Sequence, residues 1–280
     1  MKIGIVDVGG GKRGAFGAGV LDYCLDNEIY ADYFIGVSAG SANGASYLAK
    51  QKGRNFKFYS EYAMRKEYMS IYNFIKKRSY VDLDYIYSTL TNKNGEYPLD
   101  YVTFKNNGCD FEVVATECNT GNRIYFDKDC ICQDYYDVLK ASSCVPVACQ
   151  PYRFGNNYYY DGGISDPIPY KRAFEKQCDK VIVILTKPKD FFRNNHTDRK
   201  MAKFIKKSQP ICSQRLRNRS YVYNQSLKEI LKLEKEGKLL IIAPENVSKV
   251  GTLNKDKSII EELYKQGYMQ ANKIKGFING

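Results

Sequence analysis

Five short apolar runs, Ile3–Val8, Phe34–Val37, Phe111–Thr116, Val181–Leu185 and Leu239–Ala243, recur along the chain. Each has the length of a buried strand and is mostly β-branched or aromatic, which suits a pleated surface covered on both faces. Between them lie helix-like segments: Gly14–Asn27, Ser38–Lys52, a long stretch from Phe56 to about Leu90, Gln133–Ala141 and Ile168–Cys178. Strands alternating with helices predict an α/β fold. Ser226-Leu-Lys-Glu229 reads as a capping box opening an amphipathic helix that stops at Gly237, and Ser258-Ile-Ile-Glu261 opens the last helix in the same way. The spacing of Tyr152–Tyr160 around Gly155-Asn-Asn predicts a hairpin.

A chain of 280 residues is long enough for one sizeable core. With no internal repeat and no Pro/Gly-rich linker, residues 1–280 are expected to form a single domain. No apolar run approaches the roughly 20 residues needed to cross a bilayer. The start, Met1-Lys2 followed at once by a strand-like run, does not resemble a signal sequence. Nine scattered cysteines without a C-x-x-C pair suit reduced thiols, and together these features lead to the expectation of a cytoplasmic protein. One histidine leaves a mixed Cys/His zinc site almost without ligands, so no structural metal is expected.

Three glycine-bearing motifs carry the candidate chemistry. Gly36-Val-Ser-Ala-Gly40 follows a strand and precedes a helical run, the context in which a serine on a sharp turn projects its Oγ above a sheet. A tight turn with a capping serine would use the same letters. Gly9-Gly-Gly-Lys-Arg-Gly14 joins the first strand to the first helix, and consecutive glycines let backbone N–H groups point into one concave space. That arrangement serves an oxyanion or a phosphate, and as G-x-G-x-x-G it also fits a dinucleotide-binding oxidoreductase. Asp161-Gly-Gly163 follows the hairpin and by itself reads as a turn.

In this order, and with Ala141-Ser-Ser-Cys-Val-Pro146 and Gln150-Pro151 ahead of the aspartate, the motifs resemble the patatin-like phospholipase family, in its bacterial cytoplasmic type. The resemblance covers nearly the whole chain. It is firm over the first 170 residues and looser through the basic and helical part from 187 to 280. It implies a three-layer sandwich, with a central, mostly parallel sheet flanked by helices. It also implies hydrolysis of acyl esters of lipids without a cofactor, a dyad of Ser38 and Asp161, and an oxyanion hole from the backbone of Gly9, Gly10 and Gly11. Arg13, Gly14, Gly36, Gly40, Gly162 and Gly163 are the supporting motif positions. A catalytically inactive lipid-binding protein on the same fold would share them.

A second line of argument bears on the dyad. Serine needs a base within hydrogen-bond reach, ordinarily histidine. The one histidine, His196, lies in the polar, basic stretch Phe191–Lys200, which has the composition of a loop, and nearby cations disfavour the imidazolium that a triad must form. The order Ser38, Asp161, His196 imitates a hydrolase triad, yet a surface histidine fits these surroundings better. Asp161 is then left to take the serine proton itself.

The formal net charge is +12, and residues 187–219 hold eleven Lys and Arg against two Asp. Within them Met201, Phe204 and Ile205 fall at helical spacing among Lys200, Lys203, Lys206 and Lys207. Such a helix either packs its apolar face on the core or lies on an anionic membrane. A nucleic-acid partner is not expected, because no recognition motif accompanies the charge.

Overall fold

Every one of the five apolar runs is a strand of one sheet in a computed structural model that describes residues 1–247 and 256–280. They are β1 (Ile3–Asp7), β2 (Tyr33–Val37), β3 (Asp110–Glu117), β7 (Lys180–Ile184) and β8 (Leu239–Ile242). The expected hairpin forms β5 (Tyr152–Phe154) and β6 (Asn157–Asp161), and β4 (Arg123–Asp127) joins them. The hydrogen-bonded path is β5-β6-β3-β2-β1-β7-β8, with β4 pairing β3 beside it. The pairs among β3, β2, β1, β7 and β8 are parallel; β4, β5 and β6 pair antiparallel, so the sheet is mixed.

Side chains alternate between two faces. Ile5, Phe34, Val113 and Ile182 point into one core, and Val6, Ile35, Val114 and Val183 into the other. The first core is covered by α1 (Ala15–Asp26) and α2 (Ala39–Leu48), through Phe16, Val20, Leu21 and Leu48. α3 (Arg54–Ser60), α4 (Ile71–Lys77), α5 (Tyr101–Asn106) and α6 (Asp137–Ser143) continue that part of the chain. The second core is covered by α7 (Tyr170–Glu175) and α9 (Pro210–Lys235), through Ala173, Tyr223, Leu227 and Ile230. This is the three-layer arrangement expected. Burying each large aliphatic side chain contributes about 1.5–3 kcal/mol, so both faces of the sheet must be covered. α8 (His196–Ile205), α10 (Lys257–Gln270) and α11 (Lys273–Asn279) complete the described elements.

Four expectations are corrected. The stretch from Phe56 to Leu90 is not one long helix: α3 gives way to short turns at Tyr62–Met64, and α4 ends at Arg78, whose φ of 53° is left-handed. A π-helical turn, Tyr85–Thr89, closes the segment. Ser226 caps nothing, since it lies inside α9, which starts at Pro210 with proline in its first turn. The helix α10 is opened by Asp256, whose carboxylate accepts from the Ser258 N–H at 3.0 Å, rather than by Ser258. His196 is the first residue of α8, not part of a loop.

Candidate active site

β3 is the rail on which the two key residues meet. β4 pairs Glu112 to Thr116 along one edge of β3. β2 takes the opposite edge up to Val37↔Val114, and β6 continues that edge from Asp161↔Ala115. The nucleophile candidate follows Val37 directly. Ser38 and Asp161 therefore arrive end to end although 123 positions separate them in the chain.

Ser38 caps α2 with φ 56° and ψ −125°, a strained conformation for a residue with a side chain. Glycines make the turn possible: a Cβ on Gly36 would sit 2.5 Å from the backbone of Ser41, and one on Gly40 would sit 2.2 Å from the carbonyl of Asp7. The Ser38 N–H donates to Ser142 Oγ at 2.8 Å, and Ser142 Oγ–H donates to the Val114 carbonyl at 2.6 Å. Two residues on, the Cys144 carbonyl accepts the Asp161 N–H at 2.9 Å. The C-terminal turn of α6 thus grips the backbone of both residues.

The Asp161 carboxylate is buried, and its Oδ1 accepts the Gly163 N–H at 2.8 Å, capping the turn Gly162–Ile164. Burial raises its pKa above the usual 3.8, opposed by a hydrogen bond with Ser38, by the Gly163 N–H and by Arg219 and Arg193. The balance favours a more basic carboxylate than a surface one.

The glycine loop packs against this elbow. Gly9, at φ +62°, has no room for a side chain, since a Cβ there would lie 2.1 Å from the Val37 carbonyl. Its N–H donates to Asp7 Oδ1 at 3.0 Å. Gly10 and Gly11 then lead into a short 3-10 turn, Gly11–Gly14, where the first N–H groups have no partner within the helix. Asp7 is fully buried with its pKa pushed up to about 6 by desolvation, and is held by Asn43 Nδ2 at 2.9 Å. Asn43 in turn binds the Gly14 carbonyl at 3.0 Å and accepts from Tyr59 OH at 2.9 Å. This network fixes the loop from behind.

Ser38 and Asp161 open on a cavity of about 790 Å³. One part of its lining is apolar and aromatic, including Phe58, Met69, Val81, Ile86, Leu99 and Leu139. Another part carries Arg13, Lys187, Arg193 and Arg219. Arg193 and Arg219 both bind the buried Asp198, Arg193 Nη2 at 2.8 Å. Burial and the charges of Arg193 and Arg219 push the Arg13 guanidinium down to about 10. Lys12 and Arg54 also line the cavity, and Arg193 and Arg219 share one carboxylate. His196 is exposed and is not among the lining residues.

Asp7, Asn43, Ser142 and the pair Arg193 and Arg219 were not singled out from sequence. Asp7 left a trace, as a carboxylate within an otherwise apolar strand. Ser142 lay within Ala141–Pro146, a stretch read only as part of the family resemblance, and its own role depends on contacts over a hundred positions away.

Sheet, elbow serine and Asp-Gly-Gly turn define an α/β protein in which Ser38 and Asp161 line one cavity. A family model described as Patatin-like phospholipase matches residues 8–174. That is more than half of the chain, and the chain belongs to this family. A second model, described as a domain of unknown function (DUF6363), matches residues 211–275. The Uncharacterized protein YjjU of Escherichia coli (strain K12) is 30% identical over 212 residues, 73% of this chain and 57% of YjjU. The chain therefore spans less than two thirds of that relative. The crystal structure of VipD from Legionella pneumophila is similar with a TM-score of 0.48 and 13% identity, covering 97% of this chain and 66% of VipD. Family membership sets aside the dinucleotide reading of the glycine loop.

Proposed function

We propose that the chain is a serine acyl hydrolase that cleaves lipid esters through Ser38 and Asp161. The observation that carries this is a strained serine at a helix N-terminus that shares a largely apolar cavity with a buried carboxylate of raised basicity. Asp161 accepts the Ser38 proton as Oγ attacks the acyl carbon. The carbonyl oxygen becomes an oxyanion against the N–H groups of Gly10 and Gly11, while the Gly9 amide stays with Asp7 and holds the loop in shape. Protonated Asp161 returns its proton to the leaving alkoxide, giving an acyl-Ser38 ester and a free alcohol. Water, deprotonated by the same carboxylate, attacks that ester and releases the fatty acid and Ser38.

The cavity lining suits a substrate with two unlike ends. An acyl chain matches the aromatic part, and Arg13, Lys187, Arg193 and Arg219 suit an anionic phosphate on the alcohol. We read the substrate as a phospholipid or lysophospholipid on that ground. The basic segment 187–219 adds electrostatic attraction to an anionic membrane, about 1 kcal/mol for each cation close to the surface. That β8 extends the sheet beside β7 and that α10 lies on α1 support reading the chain as one domain.

The test is hydrolysis of a short-chain ester and of a lysophospholipid by three variants. Ser38→Ala and Asp161→Asn are each expected to lose at least about a thousandfold in kcat, because nucleophile and base act as a unit. His196→Ala is expected to match the parent chain. A loss of about a hundredfold in folded His196→Ala would reinstate a triad and remove the dyad.

A further inference from the structure

α4 is turned inside out. A helix on a water-soluble surface hides its apolar residues and exposes its polar ones. In α4 the residue that is buried is Asn73, whose Nδ2 donates to the Glu67 carbonyl at 2.9 Å. Ile71, Tyr72, Phe74 and Ile75 stand outward with 71%, 67%, 53% and 72% of their surface exposed. The helix is held in this orientation at both ends. Ser70 Oγ caps its N-terminus by accepting the Asn73 N–H at 3.2 Å. Beyond Arg78, the Tyr80 and Val81 N–H groups both donate to the Ala148 carbonyl.

The surroundings say what covers this face. Phe74 lines the cavity that contains Ser38, and so does Val147, 44% exposed and held at φ 73° on the segment that pairs with Tyr80. The apolar face is thus continuous with the cavity. Lys76 and Arg78 are exposed at its C-terminal end, Lys76 lying 5.9 Å from the Tyr72 ring, and Lys66 and Glu67 are exposed just ahead of the helix. Aromatic and aliphatic side chains edged by cations match an anionic lipid surface, where the apolar groups enter the acyl layer and the cations meet headgroups. A second copy of the chain fits poorly, because it would bring the same cations face to face in a protein already carrying +12. α8 offers less: its Ile205 is buried, Met201 is half-buried, and Phe204 alone of the three stands out.

We infer that α4 docks the protein on anionic lipid surfaces, with Ile71, Tyr72 and Ile75 entering the acyl layer and the Ser38 cavity opening beside them. The inference rests on reading the cavity as a lipid-ester site. Lipid then passes from the membrane along Phe74 without its acyl chain crossing water.

The experiment compares vesicle binding by the Ser38→Ala chain with and without Ile71→Ser, Tyr72→Ser and Ile75→Ser. The vesicles are phosphatidylcholine alone or mixed with phosphatidylglycerol. The triple change is expected to weaken binding to the mixed vesicles by at least about tenfold, given the area those three side chains would bury. In the active chain it leaves hydrolysis of a short soluble ester unchanged. Lys76→Gln with Arg78→Gln is expected to remove part of the salt-sensitive binding. Equal vesicle binding with and without the triple change overturns the proposal. So does a chain that dimerises through α4 and ignores vesicles. Because docking is read in a catalytically silent chain, binding without any ester hydrolysis by the active chain contradicts the hydrolase reading alone.

Discussion

Ser38 is held at φ 56° by contacts that begin at a third residue, Ser142, in α6. Ser142 Oγ accepts the Ser38 N–H, donates to Val114 and touches Ser41 Oγ at 3.2 Å. It reaches no reacting atom and is a positioning residue. Removing it leaves the buried Ser38 N–H without its acceptor, and the elbow relaxes away from Asp161. Ser142→Ala is expected to lower kcat about 10- to 100-fold with KM little changed. The acid limb of its pH profile should stay where it is, since that limb reports the Asp161 carboxylate, active only when ionised and lifted above the ordinary 3.8 by burial. Activity therefore falls as pH drops through the raised pKa in both chains. A purely structural loss would instead show as a smaller active fraction with full kcat per labelled site, and that result would contradict the positioning role.

Among the elements, the contact between α1 and α10 decides how firmly the glycine loop is held, since α1 starts at Ala15, one residue beyond that loop. The two helices approach so closely that a Cβ on Gly267 would meet the Phe16 carbonyl at 2.0 Å, and one on Gly19 the Tyr264 carbonyl at 2.0 Å. Tyr264 OH donates to Asp22 at 2.8 Å and Tyr268 OH to Asp26 at 2.7 Å across the same contact. Gly267→Val should destabilise the protein by about 1–3 kcal/mol in urea unfolding, with ester hydrolysis falling alongside as α1 is pushed away. An unchanged unfolding midpoint would mean that α10 does not brace α1. The sequence shows glycines inside helical patterns at both places but not their reason, which lies about 250 positions away. The apolar strands were legible because a strand buried on both faces leaves a continuous run. β4 was not, because Arg123 and Asp127 are exposed ends of a short strand whose side chains are only partly covered. The Ser226 pattern misled because the same four letters occur inside α9, where tertiary burial of Leu216, Tyr223 and Leu227 carries the helix past it.

For the molecule as a whole, charge, cavity and exposed apolar face combine into the proposal that the basic segment draws the protein to anionic lipid, that α4 seats it, and that Ser38 acts on what enters the cavity. The centre of this reading was legible in advance, because Gly36–Gly40 and Asp161–Gly163 are short motifs whose chemistry is local. The cation cluster was legible only as an excess of charge, since sequence alone does not place Arg193 and Arg219 beside Arg13. The outward face of α4 was hidden inside a segment whose ten aromatic residues in thirty-five read as core. Everything still turns on whether Ser38 is an activated nucleophile. Treating the purified chain with a fluorophosphonate and mapping the modified peptide measures that directly. The account predicts a single adduct on Ser38, lost in Ser38→Ala and strongly slowed in Asp161→Asn; no adduct on the folded chain, or an adduct on another serine with Ser38 untouched, would contradict it.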